Sequence, residues 1–456
     1  MQVSGKATRI RLLDFHTPQM RAFHMTWFAF FLCFFAWFGI APLMPIVRQE
    51  LSLTKDQIGW CIIASVAITV FARLFIGWLC DRIGPRLCYT GLLLVASLPV
   101  MGIGFAHDYT TFLLFRVAIG AIGASFVITQ YHTSLMFAPN CVGTANATTA
   151  GWGNVGGGVT QVVTPALYAL FLTTLGLSTA ASWRASMFVA GLVCALTGIL
   201  YYFFTQDTPE GNFSDLRKAG VIPASKNSKG GFLEACRDPR VWALFVLYGA
   251  CFGVELTINN VAALYFVDYF DYFRSMDSTK AMGTAGLIAG SFGMMCLFAR
   301  TLGGYYGDKF GLRYGLGGRT RWLFAVVFCE GLSLILFSRV TSLALAVPML
   351  MFFSFFVQMS TGATFAVVPF INRRALGSVS GIVGAGGNVG AVAAGFLFKT
   401  SAITWPTALL ILGIVVTVSA FSALAIRFSA ETEDTLQPAA EPAASDRPAT
   451  VVPVGA

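Results

Sequence analysis

Apolar residues in this chain do not alternate with polar ones; they run on in blocks of about 18 residues or more, separated by short polar stretches. A block of that length is what an α-helix needs to cross the ~30 Å hydrocarbon core of a bilayer. The pattern predicts spans near residues 23–46, 58–80, 86–106, 110–137, 146–175, 183–205, 240–266, 281–305, 320–338, 341–368, 377–399 and 405–427. The period-two alternation of a membrane β-barrel is absent. No short basic start leads into an apolar core with a small-residue cleavage site, so no removable signal peptide is read. The expectation is an all-α membrane protein with twelve transmembrane helices.

Composition agrees. Of 456 residues, 56% are hydrophobic and 11% charged, where soluble domains carry roughly 25% charge. The ten cysteines stand singly, with no C-x-x-C pair and no metal-ligand spacing, and read as packing thiols. No metal and no cofactor is expected.

The net charge of +9 sorts by side. With the N-terminus inside, cytoplasmic segments hold Arg9, Arg11, Arg82, Arg86, Arg217, Lys218, Lys309, Arg313, Arg319, Arg373 and Arg374 among others. The opposite side holds only Arg48, Lys55, Arg184, Arg274, Lys280, Arg339 and Lys399. That bias predicts a multi-pass protein of the cell membrane with both termini cytoplasmic. Topology accounts for the charge, and no nucleic-acid partner is needed; the expected surroundings are membrane lipid.

Two stretches, FARLFIGWLCDRIGPR (71–86) and FARTLGGYYGDKFGLR (298–313), repeat 227 residues apart: Arg73 maps to Arg300, Asp81 to Asp308, Gly84 to Gly311 and Arg86 to Arg313. Both copies have the same orientation, a parallel repeat of two six-helix halves around a midplane site. The division is 1–205, a polar linker 206–239, 240–428, and a Pro/Ala/acidic tail 429–456 expected to be disordered. The two loops resemble the G-x-x-x-D-R/K-x-G-x-R/K element between helices 2 and 3, and 8 and 9, of the major facilitator superfamily. That resemblance implies gating contacts for Asp81, Arg82, Asp308 and Lys309; the plainer reading is charge anchoring at helix ends.

The two arginines lie deep. Arg73 and Arg300 each precede the loop aspartate by eight residues, about 12 Å along a helix, and half the hydrocarbon core is about 15 Å. A midplane charge costs at least ~2.5–3.5 kcal/mol on insertion scales, so each should face a cavity or a partner. Pairing with carboxylates is one reading, but only Glu255 and Glu330 lie at midspan, and Glu330 is expected on a peripheral helix. Convergence of both arginines on a shared oxyanion is the reading favoured here, because the guanidinium is always charged and presents a planar fork of donors. Tyr248, Phe252, Glu255 and Asn259 follow at steps of four, three and four, placing them on one helix face that looks into the cavity.

Glycine-rich stretches GWGNVGGG (151–158) and GAGGNVGA (384–391) suit close helix packing. Each carries one amide, Asn154 and Asn388, able either to donate to an anion or to bond a neighbouring helix. They lack the G-K-[ST] ending of a phosphate loop. Together with the paired arginines, these segments and INRRALGSVSGIVGAGGNVGA (371–391) resemble the nitrate/nitrite porter family of the major facilitator superfamily, closest to its high-affinity nitrate transporter branch. The resemblance implies a planar anion held between Arg73 and Arg300 and sandwiched by Phe126 and Phe252. It also implies hydrogen bonds from Tyr248 and Asn154, with Asn388 lining the second signature. Flat rings would admit thin nitrate, and nitrite with it, while excluding tetrahedral anions.

An anion entering a negative interior must be driven, at ~2.3 kcal/mol per charge per 100 mV. Electrically downhill uptake needs more than one proton per nitrate; exchange for internal nitrite needs none, the empty carrier then being locked by repulsion between Arg73 and Arg300. Glu255 is the proton-coupling candidate if it titrates on the site face, or a fixed counter-charge if it pairs with an arginine. Glu330 and His132 are weaker candidates. The expected function is alternating-access nitrate transport by proton symport, in a monomer. A larger-anion exporter, a non-transporting receptor and an enzyme fit less well: the glycine segments narrow the site, no signalling domain follows, and no catalytic constellation exists.

Overall fold

The spans begin where the chain supplies a cap and stop where a glycine or proline breaks the ladder. Thr54 and Gln57 form a capping box at the start of Lys55–Ile83 (α2). That helix ends at Gly84, whose φ of +88° is open to glycine without strain, and Pro85 then opens α3 (Pro85–Gly102) at the position where its missing N–H costs nothing. Asp108 and Ser178 cap the helices that begin at Tyr109 and Thr179 through the backbone N–H groups of Thr111 and Ala181.

The computed structural model describes residues 5–221, 231–276, 278–399 and 402–429. The first half comprises α1 (Pro18–Phe38), α2, α3, α4 (Tyr109–Gly120 and Ser125–Met136, joined by the 3₁₀ turn Ala121–Ala124), α5 (Val142–Ala169) and α6 (Thr179–Phe204). The second begins with α7 (Pro239–Tyr269). It continues through Ser278–Met294, a 3₁₀ turn Met295–Leu297, and the long helix Ala299–Phe337. Non-helical angles at Tyr314 and Gly315 (φ +68°) break that long helix. The part before the break completes α8 and residues 316–337 form α9, so eleven uninterrupted apolar stretches resolve into twelve membrane helices. Leu343–Val367 (α10), Leu376–Lys399 (α11) and Trp405–Ala420 (α12) complete the bundle.

Each half packs on itself, α1 on α5 and α3 on α6, then α7 on α11 and α8–α9 on α10 and α12. Across the halves, α2 lies along α11 and α5 along α8. At both seams backbones touch: a Cβ added at Gly77 would land on the Gly377 carbonyl oxygen, and one at Gly304 on that of Gly143. The burial pattern is that of a membrane bundle, apolar outside and polar within. On α2, Phe71 is 68% exposed while Arg73 is fully buried. The linker holds two short helices, Phe213–Lys218 and Gly231–Arg237. The tail beyond Ser429, expected to be disordered, lies outside the described residues. Glu330, expected on a peripheral helix, is completely buried while Leu332 and Leu336 of the same helix are exposed, so α9 turns one face outward and the acid inward.

Candidate functional site

Arg73 projects from α2 into the seam between the halves. Its Nε donates to the Gly123 carbonyl (3.2 Å), in the 3₁₀ turn that interrupts α4, and one Nη to the Gly384 carbonyl of α11 (2.5 Å). The other, Nη2, has no hydrogen-bond partner, and among the described residues no carboxylate lies within ion-pair distance of the guanidinium. A buried, permanently charged group with a free donor edge is the arrangement an anion completes.

Arg300, the repeat partner on α8, follows a 3₁₀ turn of its own but is fully engaged. Nε donates to Gln358 Oε1 (3.1 Å) and Nη2 to Glu255 Oε2 (2.5 Å), an ion pair with both side chains buried. With the Asn154 amide turned so that its oxygen faces the guanidinium, it accepts from Nη1 and Nη2 at 2.5 and 3.0 Å. Of two arginines alike in sequence context, one therefore has a counter-charge and one has none.

The rings stand between them. Tyr248 and Phe252, one turn apart on α7, stack at 5.1 Å and 6°. Phe126 of α4 lies nearly parallel to both, at 5.6 Å from Tyr248 and 6.2 Å from Phe252. Arg73 sits over Phe126 and Phe252 with its guanidinium carbon 5.2 and 5.4 Å from their centroids. The Tyr248 hydroxyl is buried without a partner. Since carbon contacts settle at about 3.5 Å, a planar anion between Phe126 and Phe252 needs about 7 Å, so the rings part by about 1 Å to admit one. Tetrahedral anions would need a wider opening.

Glycines of α11 form the floor: a Cβ at Gly387 would lie 2.6 Å from Phe252 and 2.9 Å from Tyr248, and one at Gly384 would be 3.5 Å from Arg73. Asn388, one turn on, donates instead to the Val66 carbonyl of α2 (3.2 Å), bridging the halves, and its oxygen is unpartnered. The two repeat asparagines thus differ, one on an arginine and the other on a backbone.

Asp81 at the end of α2 accepts from the Gly377 and Ser378 N–H groups (both 2.9 Å) and the Ser378 hydroxyl (2.8 Å). Asp308 on α8 does the same with Gly143 (3.0 Å), Thr144 (2.6 Å) and the Thr144 hydroxyl (2.7 Å). Each aspartate therefore sits at the positive N-terminus of a helix in the opposite half. Arg82 and Lys309 do not reach across; they lie over Trp78 and Tyr305 at 4.0 and 4.8 Å. Arg319, which sequence reasoning missed, adds an ion pair to Asp308 (2.6 Å) and a bond to the Pro139 carbonyl.

Gln358 and Phe365 of α10 were missed as well. Phe365 meets Phe126 and Tyr248 edge-on at 4.8 and 5.0 Å. A lone amide in the apolar run FFVQMST was the available signal for Gln358; Phe365 gave none. His132 is held locally, its Nε2 donating to the Gln206 carbonyl (2.8 Å) and its Nδ1 accepting from Tyr201 (2.5 Å).

Residues 26–371 match the profile of the Major Facilitator Superfamily. The chain is 39% identical to the High affinity nitrate transporter 2.5 of Arabidopsis thaliana, over 91% of this chain and 81% of that protein. It is 42% identical to the High-affinity nitrate transporter 2.3 of Oryza sativa subsp. japonica (86% and 74%). Identity to the Nitrate/nitrite transporter NrtP of Picosynechococcus sp. is 32% (81% and 83%). Among solved structures it superimposes on FucP, a Major Facilitator Superfamily transporter in the outward conformation, with a TM-score of 0.67 over 90% of this chain and all of that one. At 17% identity the likeness is one of fold.

Proposed function

Because the chain belongs to the Major Facilitator Superfamily and, within it, to the high-affinity nitrate transporters, we propose that it is an alternating-access carrier moving nitrate, and nitrite as a second substrate, into the cell by proton symport. One observation carries this reading: two buried donors without partners, Arg73 Nη2 and the Tyr248 hydroxyl, beside near-parallel rings. The anion lies flat between Phe126 and Phe252, takes the free edge of Arg73 and the Tyr248 hydroxyl, and shares Arg300 with Asn154. Asn388 couples α11 to α2 as the halves move, and Asp81 and Asp308, with Arg82 and Lys309 beside them, close the cytoplasmic end. The halves 1–205 and 240–428 rock about the site, with both termini in the cytoplasm. One chain contributes every group, so a monomer suffices.

Glu255 has two consequences in this cycle. Paired with Arg300, it removes the repulsion between two bare arginines that would lock an empty exchanger, which favours symport. It also competes with the anion for Arg300, so a proton on Glu255 frees the guanidinium to grip nitrate. The deciding measurement is nitrate uptake into liposomes holding the purified protein, under an acid-outside gradient or with internal nitrite at equal pH. Accumulation under the gradient alone is the expected result. Uptake only against internal nitrite would establish exchange, and no nitrate flux in either arrangement would sink the substrate assignment.

A further inference from the structure

A second acid lies behind the site. Glu330 on α9 is completely buried, and neither carboxyl oxygen has a hydrogen-bond partner among the described residues. The ionisable groups within electrostatic range of it are Glu255 and Cys251, both on α7. From α10 the Ser360 hydroxyl is the polar group placed toward its carboxyl, and neither α10 nor α12 carries a single charged side chain. The cation nearest in the network, Arg300, is already committed to Glu255, Gln358 and Asn154. The second acid thus has no counter-charge among the described residues. Such a carboxyl is accommodated as the neutral acid, because an isolated carboxylate in a low-dielectric interior is far costlier than a protonated one.

Resting on the symport reading above, we propose that Glu330 is a second proton-carrying group of the transport cycle, protonated while its surroundings are dry and releasing that proton when the halves rearrange. The electrical requirement for uptake is more than one proton per nitrate, and Glu255 alone supplies one. Glu330 adds another from α9, a helix that contributes no residue to the proposed anion seat. α7 links the two regions, carrying Tyr248, Phe252 and Glu255 at the proposed anion seat and Cys251 within electrostatic range of Glu330.

The test uses full-length protein in liposomes and Glu330→Gln, the neutral isostere of the protonated acid. At zero voltage each proton moved down one pH unit sustains about a tenfold gradient of the cotransported ion. The wild type should therefore accumulate nitrate about 100-fold and Glu330→Gln about 10-fold, with one proton fewer per nitrate in a simultaneous pH-dye measurement. Exchange of labelled for unlabelled nitrate at equal pH, which moves no net proton, should stay within about twofold of wild type. Glu330→Asp, which restores a titratable group, should recover the higher proton count. An unchanged proton count in Glu330→Gln overturns the proposal. So does loss of exchange along with accumulation, or failure of the neutral isostere to fold. Absence of nitrate flux in the wild type would instead defeat the carrier reading itself, whatever Glu330 does.

Discussion

At the scale of single residues, the informative contrast is between Arg73 and Arg300. Their sequence settings match, and both are buried, yet Glu255 neutralises only Arg300. Removing one member of a buried ion pair strands the other, at a cost of about 3–5 kcal/mol, whereas removing a charge that has no counter-charge strands no opposite charge. Glu255→Gln and Arg300→Gln should each lower the melting temperature of the detergent-purified protein markedly, and the double substitution should recover much of the loss. Arg73→Gln should leave melting unchanged or raise it while abolishing nitrate uptake. Equal destabilisation by all three single changes would show that Arg73 has a counter-charge after all. That both arginines sit inside apolar spans and need burial was legible in the sequence, and both are buried. Which of them holds a carboxylate was not, because Glu255 is distant in sequence from both and meets Arg300 only once α7 and α8 pack.

At the scale of elements, the two aspartates tie each half to the other through helix N-termini. The repeated loop motif announced the aspartates, but not their acceptor geometry, since the N–H groups of Gly377, Ser378, Gly143 and Thr144 carry no side-chain signature of a partner. Replacing a charged acceptor with an amide weakens all three of its bonds. Asp81→Asn should favour opening of the seam at this end by about 1–2 kcal/mol, a population change of about 5- to 30-fold. Asp308→Asn should do more, because it also strands buried Arg319. Spin labels at exposed Leu87 and Arg374, in opposite halves, would read the change as a growing long-distance population. Unaltered distance distributions in both variants would mean that other contacts hold this end shut. The glycine runs teach a related lesson. Their packing role was evident from composition, whereas the placement of Gly387 under the rings of Tyr248 and Phe252 emerges only from the crossing of α7 and α11.

At the scale of the whole molecule, the proposed anion site borrows from both halves: Arg73, Phe126 and Asn154 from one, Tyr248, Phe252 and Arg300 from the other. A ligand seated there should stabilise the assembled bundle, by about 2.7 kcal/mol at a hundredfold excess over its dissociation constant. Nitrate should therefore raise the melting temperature of the purified protein in a saturable way, and nitrite should follow it. Sulfate and phosphate at equal ionic strength should give no saturable shift, because a tetrahedral anion needs the rings further apart than a planar one. A sulfate shift as large as that of nitrate would refute the flat slot as the source of selectivity.

The sequence by itself determined the twelve-helix, two-half membrane architecture, because hydrophobic length and the internal repeat are properties of the chain alone. It also determined the paired arginines within apolar spans, the doubled loop aspartates and the aromatic-acid face of α7, all consequences of the repeat and of helical spacing. The tertiary structure decided which buried charges are compensated: Arg300 by Glu255, Asp308 by Arg319, Arg73 and Glu330 by nothing among the described residues. Compensation depends on distances between groups on different helices, and those are fixed by packing across the seam rather than by any local pattern in the chain.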